Sequence, residues 1–111
     1  MKIGELAEKA GFKLLAGEAA IQNEVAGCYA GDLLSWVMSR AKSGDIWLTV
    51  MGNVNAVAVA SLTDTAGILL TENAPLDNDA KLKADEQEIP VFTCEQNSFE
   101  AAILIQRFLK L

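Results

Sequence analysis

Residues 27–62 read GCYAGDLLSWVMSRAKSGDIWLTVMGNVNAVAVASL, and this stretch decides the fold class. Its apolar runs and periodicities predict a strand, a helix, a second strand and a second helix in succession. Two polar junctions separate these elements, Gly31-Asp32 and Gly52-Asn53-Val54-Asn55. Where a parallel strand leads into a helix, a junction of this kind can present backbone amides to a ligand.

The second helix of this stretch, residues 53–62, is the ambiguous element. Its valines and alanines fit strand alternation as well as helical spacing. We favour a helix because the next strand begins near residue 66, and a parallel neighbour requires a crossover of a dozen or more residues. The preceding run IWLTVM, residues 46–51, is apolar almost throughout, as in a strand that is covered on both faces.

The helix between the two junctions is predicted to begin with Asp32 as its N-cap, where the carboxylate accepts amide hydrogen bonds from the first turn. Its buried stripe is predicted to contain Leu33, Leu34, Val37, Met38 and Ala41.

The rest of the chain continues the alternation of helices and strands. We predict a helix over 2–10, strands over 12–15 and 24–29, a strand over 66–71, a polar helix over 77–87, a strand over 90–94, and a last helix over 98–110 capped by Ser98. Strands that alternate with helices predict a three-layer α/β/α fold with a mainly parallel sheet of about five strands.

Composition excludes several classes of function. The 111 residues predict a single domain over 1–111, and a formal charge of −6 argues against a protein that binds nucleic acid. No histidine is present, which removes the commonest general base and metal ligand. The sequence also lacks a phosphate-loop motif. We therefore predict no catalytic residues, no metal site and no cofactor.

The location of the protein follows from its apolar segments and its two cysteines. The first ten residues predict an amphipathic helix rather than a signal peptide, and no run has the ~20 apolar residues that span a membrane. The isolated residues Cys28 and Cys94 indicate free thiols in a reducing compartment. We expect a cytoplasmic protein with no membrane contact.

The carboxyl ends of the parallel strands are the predicted place for a ligand. Candidate binding residues are Asp32, Gly52, Asn53, Asn55 and Thr71. A purely structural interpretation stays open, in which Asp32 and Asn53 only cap helices and Gly52 only makes a turn.

Two apolar residues interrupt the polar half of the last helix. Phe99 and Ile103 lie four residues apart on the side that otherwise carries charged and amide groups. They fit a helix end that is tucked under a loop, and they fit a subunit interface equally well.

The two segments GCYAGDLLSWVMSRAKSGDIWLT and NVNAVAVASL, followed by AGILLTENAPLDNDAKLKADEQEIPVFTCEQNSFEAA, resemble a DRTGG domain over residues 24–105. That family includes the N-terminal domain of HPr kinase/phosphorylase, in which catalysis belongs to a separate domain. The resemblance implies an α/β/α domain with a regulatory role that associates with a like domain. The name-giving D-R-T-G-G string is absent, and Asn53 stands where stand-alone relatives often carry a histidine.

Our leading hypothesis is a non-enzymatic regulatory, ligand-sensing or interaction domain. We expect it to form a homodimer and to bind a nucleotide or another small anion, or to dock to a larger enzyme. Two alternatives remain: a small enzyme related to phosphotransfer, and a structural adaptor that binds no ligand.

Overall fold

The computed structural model describes residues 1–110, and Leu111 lies outside the described residues. Along the chain the elements are α1 (Ile3–Ala10), β1 (Lys13–Ala16), a 3-10 turn (Glu18–Ala20), β2 (Gly27–Ala30), α2 (Leu34–Arg40), β3 (Asp45–Thr49), α3 (Val54–Thr63), β4 (Gly67–Leu70), α4 (Asn78–Gln87), β5 (Val91–Thr93) and α5 (Ser98–Leu109). The helix predicted over residues 53–62 is therefore confirmed.

The strands form one five-stranded sheet in the order β1-β5-β4-β3-β2. Strands β2, β3, β4 and β5 run parallel to one another. The edge strand β1 runs antiparallel to β5, with Lys13 opposite Thr93. This arrangement confirms the predicted, mainly parallel sheet.

Helices cover both faces of the sheet. Helices α2, α3 and α4 pack side by side on one face, and α1 and α5 pack together on the other. Successive residues of a strand enter opposite cores, since Trp47 lies in the core under α2–α4 and Leu48 in the core under α1 and α5. The three-layer prediction is confirmed. No helix in residues 1–110 has the length and hydropathy to cross a membrane.

Strand β2 begins later than predicted, at Gly27 instead of residue 24. The preceding residues pair with the N-terminus of the chain: Val25 donates its amide to the carbonyl of Met1, and Glu24 forms an isolated bridge with Lys2. The N-terminus is remote in sequence from residues 24 and 25. The local pattern therefore could not show that these residues pair with it, whereas residues from Gly27 onward pair with β3.

Two predicted helix caps are wrong. Helix α2 begins at Leu34 with Leu33 in the N-cap position, and Asp32 lies before it with its carboxylate turned elsewhere. Helix α5 is capped by Asn97, whose side chain accepts the Glu100 amide, while the Glu100 carboxylate accepts the Asn97 amide. Ser98 is the first residue of α5 and not its cap. A capping box uses two orphan donors, whereas a single serine would use one.

The buried stripe of α2 is narrower than predicted. Val37 is fully buried, but Leu33 and Met38 are 57% and 44% exposed, so their predicted burial is wrong. The cause is the position of α2, which is the outermost helix of its layer and has a helical neighbour, α3, on one side.

Candidate functional site

Asp32 connects the carboxyl ends of two parallel strands. Its Oδ1 accepts a hydrogen bond from the Thr49 hydroxyl at 2.7 Å and another from the Val50 amide at 3.0 Å. Thr49 is only 1% exposed, so its hydroxyl depends on this partner. The carboxylate that the sequence assigned to a helix cap or a ligand therefore fixes the end of β3 against the segment that follows β2.

The junction after β3 is stabilised by contacts within the chain. The Asn53 side chain accepts the Ala56 amide at 2.9 Å and caps α3. Gly52 lies against the Pro75 backbone, where an added Cβ would collide with the Pro75 carbonyl oxygen, and the Gly52 carbonyl accepts the Asp77 amide at 2.8 Å. The absence of a side chain at position 52 thus admits another segment of the chain.

The last two predicted site residues differ in accessibility. Asn55 is exposed in the first turn of α3, and its side chain has no hydrogen-bond partner among residues 1–110. Thr71 is fully buried, and its hydroxyl is hydrogen-bonded to that of Ser98 at 3.1 Å. Thr71 therefore joins the end of β4 to the start of α5 and does not line the surface.

The structure shows a crevice at the carboxyl ends of β4 and β5, an edge where the sequence predicted a ligand, but none of the five candidate binding residues lines it. It lies between the loop that follows β4 and the loop that follows β5. A cavity of about 480 Å³ occupies it, and an adjoining cavity of about 290 Å³ shares Asn73 and Thr93 with the first. Their other polar lining residues are Lys13, Lys81, Glu95, Gln96 and Glu100. The only local signal is the polar sequence T-E-N after an apolar strand. Strand β1 also contributes lining residues, and no local sequence pattern shows that it lies beside β5.

The two thiols are protonated at neutral pH. Burial raises the pKa of Cys28 to about 11, and the negative charge of Asp45 adds to the shift. Burial also raises the pKa of Cys94, against a smaller opposite effect of the Gln96 backbone. Because the thiolate is the reactive form, neither side chain is poised as a nucleophile.

The fold places the chain among small three-layer α/β/α domains with a mainly parallel sheet. A family model of the DRTGG domain matches residues 5–108. The chain therefore belongs to the DRTGG domain family, as the sequence resemblance predicted. No curated protein matches the sequence.

Among solved structures, the chain is similar to the regulatory region of a Clostridium perfringens pyrophosphatase. That region contains CBS and DRTGG domains and is complexed with an activator, diadenosine tetraphosphate. The TM-score is 0.74 and the identity is 14%; the match covers 94% of this chain and 45% of that one. The chain thus spans less than half the length of this relative. At such low identity, the likeness establishes the fold.

Proposed function

We propose that this chain is a regulatory domain without catalytic activity, which senses a nucleotide or another small anion at the carboxyl edge of its sheet. One observation carries the proposal: the fold matches a DRTGG-containing regulatory region over 94% of the chain. That region is complexed with a nucleotide activator. A sensing role also agrees with protonated thiols and the absence of histidine from the sequence.

The junction at the start of α3 has backbone amides that are still available to bind a ligand. Asn53 satisfies the Ala56 amide, but the amides of Val54 and Asn55 precede the first intrahelical bonds. Together with the helix dipole and the exposed Asn55 side chain, they favour an anionic group. Asp32 is exposed nearby and retains one carboxylate oxygen, which suits a ribose hydroxyl or an amine. Thr71 would act indirectly, by holding α5 against the sheet.

Titration of adenine and guanine nucleotides tests the sensing role. We expect amide NMR shifts in the loops at this edge of the sheet, where residues 31–33 and 52–56 report on binding at the two junctions. A ligand at 100 times its dissociation constant should raise the free energy of unfolding by about 2.7 kcal/mol. If no amide moves and the melting temperature is unchanged at millimolar nucleotide, the adaptor that binds no ligand becomes the better interpretation.

The second part of the proposal is self-association through α5. Phe99 is 74% exposed and Ile103 is 38% exposed, on a helix whose opposite side packs on the sheet. The exposed residues Glu100 and Arg107 are two turns apart on one side of the helix. An antiparallel pair of α5 helices centred near Ile103 would place Glu100 of one protomer beside Arg107 of its partner. This self-complementarity favours a homodimer.

Substitution of the apolar pair tests the dimer. We expect Phe99→Ser with Ile103→Ser to shift the mass in solution from dimer to monomer, with the circular dichroism spectrum nearly unchanged. Leu62→Ser with Leu82→Ser is the matched control, because these leucines are 72% and 70% exposed on the opposite layer. A monomeric unaltered chain at high micromolar concentration in multi-angle light scattering would contradict the proposal.

The alternative of a small phosphotransfer enzyme has its own test. We expect no kinase or phosphatase turnover from the purified chain. Sustained ATP hydrolysis that Asp32→Asn abolishes would establish the enzyme in place of the sensor.

A further inference from the structure

The crevice between β4 and β5 lies where the connections from two neighbouring strands leave toward opposite faces of the sheet. The chain leaves β4 toward α4, in the layer of α2 and α3, and leaves β5 toward α5, in the opposite layer with α1. These two strands are parallel neighbours. Two loops that depart to opposite faces leave a gap at the carboxyl ends of their strands, and in open α/β sheets this gap is the usual place for ligands.

The observed cavities lie at this gap. The first cavity has about 480 Å³, within the range of roughly 300–1,000 Å³ for small-molecule sites. Its lining includes Asn73 from the first loop together with Glu95 and Gln96 from the second. Topology and cavity geometry therefore indicate the same site independently.

The two walls of the crevice are fixed to each other. Glu72 and Asn73 have positive φ values of 57° and 54°. Their amides donate to the carbonyl oxygens of Gln96 and Cys94 at 2.9 Å and 2.8 Å. These cross-loop bonds hold two residues in a conformation that costs an L-residue about 1–2 kcal/mol. The crevice is thus largely formed before any ligand arrives.

The lining is divided into an apolar section and a polar section. The smaller cavity contains Leu15, Ala74, Pro75 and Leu76, and it suits a flat ring. Asn73 and Thr93 stand where the two cavities meet and offer donors and acceptors to the edge of such a ring.

The polar section contains groups for the remainder of such a ligand. The exposed Lys13 lies opposite Thr93 in the β1–β5 register and has no ion-pair partner among residues 1–110. Its ammonium can hold a phosphate. Glu95 lines the same cavity, is exposed, and has no ion-pair partner among residues 1–110. An exposed carboxylate can accept hydrogen bonds from the two hydroxyl groups of a ribose.

We infer that the crevice between β4 and β5 binds a nucleoside phosphate, with the base on the apolar section, the ribose at Glu95 and the phosphate at Lys13. The inference rests on the proposed sensing function and assigns its ligand to a site separate from the junctions at Asp32 and Gly52–Asn55. The lining contains both lysines and glutamates. A nucleoside phosphate suits such a lining, because its phosphate is anionic and its base and ribose are neutral.

The test uses adenosine monophosphate, adenosine and inorganic phosphate as probes of the 15N-labelled full chain. We expect adenosine monophosphate to shift the amides of residues 72–74, 76 and 93–96. Lys13→Gln should weaken the monophosphate about fivefold to tenfold and leave adenosine unchanged. Its control is Lys42→Gln, an equal charge change at an exposed residue that does not line the crevice.

A second pair of variants tests the base-binding part. Asn73→Gly removes the amide side chain at a position whose positive φ glycine accepts, and it should weaken adenosine and its monophosphate alike. Glu72→Gly makes the same backbone change at an exposed residue outside both cavities, and it should bind as the unaltered chain does.

The outcomes separate this inference from the proposed function. Shifts confined to residues 31–33 and 52–56 overturn the inference and leave the sensing function standing. An absence of shifts with every probe at millimolar concentration overturns the inference and the nucleotide part of the proposed function together. Equal weakening by Lys13→Gln and Lys42→Gln also overturns the assignment of the phosphate to Lys13.

Discussion

At the scale of single residues, side chains that look functional in the sequence act on distant parts of the same chain. Asp32 and Gly52 stand where an anion or a hydroxyl could bind, but their partners are Thr49, Val50 and the Pro75 backbone. The sequence correctly placed both residues at the carboxyl ends of the parallel strands. It could not show their partners, because those contacts depend on strand register and on a loop that follows the next strand.

Removal of the Asp32 carboxylate should destabilise the fold. Asp32→Ala leaves the buried Thr49 hydroxyl without its acceptor, and we expect a loss of about 1–2 kcal/mol in the free energy of unfolding. Asp32→Asn keeps an oxygen at the same position and should lose less. Urea denaturation measures both variants. If the alanine variant is as stable as the unaltered chain, Asp32 is free to serve a ligand instead.

The close approach at Gly52 gives a second prediction. Gly52→Ala places a methyl group against the Pro75 carbonyl, and overpacking of this kind costs about 1–3 kcal/mol. Gly31→Ala is the control, because its methyl group would meet the Tyr29 ring, which can move. Thermal unfolding of both variants should show a clearly larger effect at Gly52. Equal effects would contradict a rigid contact there.

At the scale of elements, the sequence predicted type and order well and junctions less well. The helix over 53–62 was resolved by the length that a parallel crossover needs, which is a topological argument and not a local one. The errors at Asp32 and Ser98 both arose at helix starts. Asp32 accepts hydrogen bonds from the end of β3 and leaves α2 without a side-chain cap, whereas at α5 the neighbouring Asn97 takes the capping position. The exposed residues of α2 were missed because hydrophobic spacing does not reveal an edge position.

Helix α4 is attached to the segment after β1 by an ionisable group. The Gly17 amide donates to Asp85 Oδ1 at 2.7 Å, and this bond holds the pKa of the carboxyl below its usual value. A lowered folded-state pKa stabilises the fold above the unfolded pKa, near 3.8. The contribution disappears as the pH falls through the folded-state value.

Asp85→Asn should change how the free energy of unfolding depends on pH in the acid range. We expect a constant stability difference from the unaltered chain above about pH 5, which shrinks as the pH falls below about 4. Urea denaturation across this range measures the difference. Asp77→Asn, whose side chain makes no capping bond, is the control and should follow the unaltered chain. Parallel curves for Asp85→Asn and the unaltered chain would show that Asp85 does not titrate with folding.

At the scale of the whole molecule, two apolar surfaces are candidates for the proposed self-association. One is the α5 surface, formed by Phe99 and Ile103. The other is the α2 surface, formed by Leu33, Trp36 and Met38, with Trp36 51% exposed. The helices lie in opposite layers, so a single two-fold contact through one leaves the other in solvent. We favour the α5 surface because Glu100 and Arg107 give it self-complementary charges.

The two tryptophans allow the surfaces to be distinguished in the unaltered chain. Trp47 is fully buried, with its indole N–H donating to the Gly31 carbonyl, while the Arg40 guanidinium lies 3.6 Å above the exposed Trp36 ring. Acrylamide quenching therefore reports mainly on Trp36. If the chain associates through α5, quenching should stay constant as concentration rises through the dimerisation range. Trp36→Phe supplies the Trp47 background. A fall in quenching on association, abolished by Trp36→Phe, would place the interface on α2 and leave α5 free for another partner.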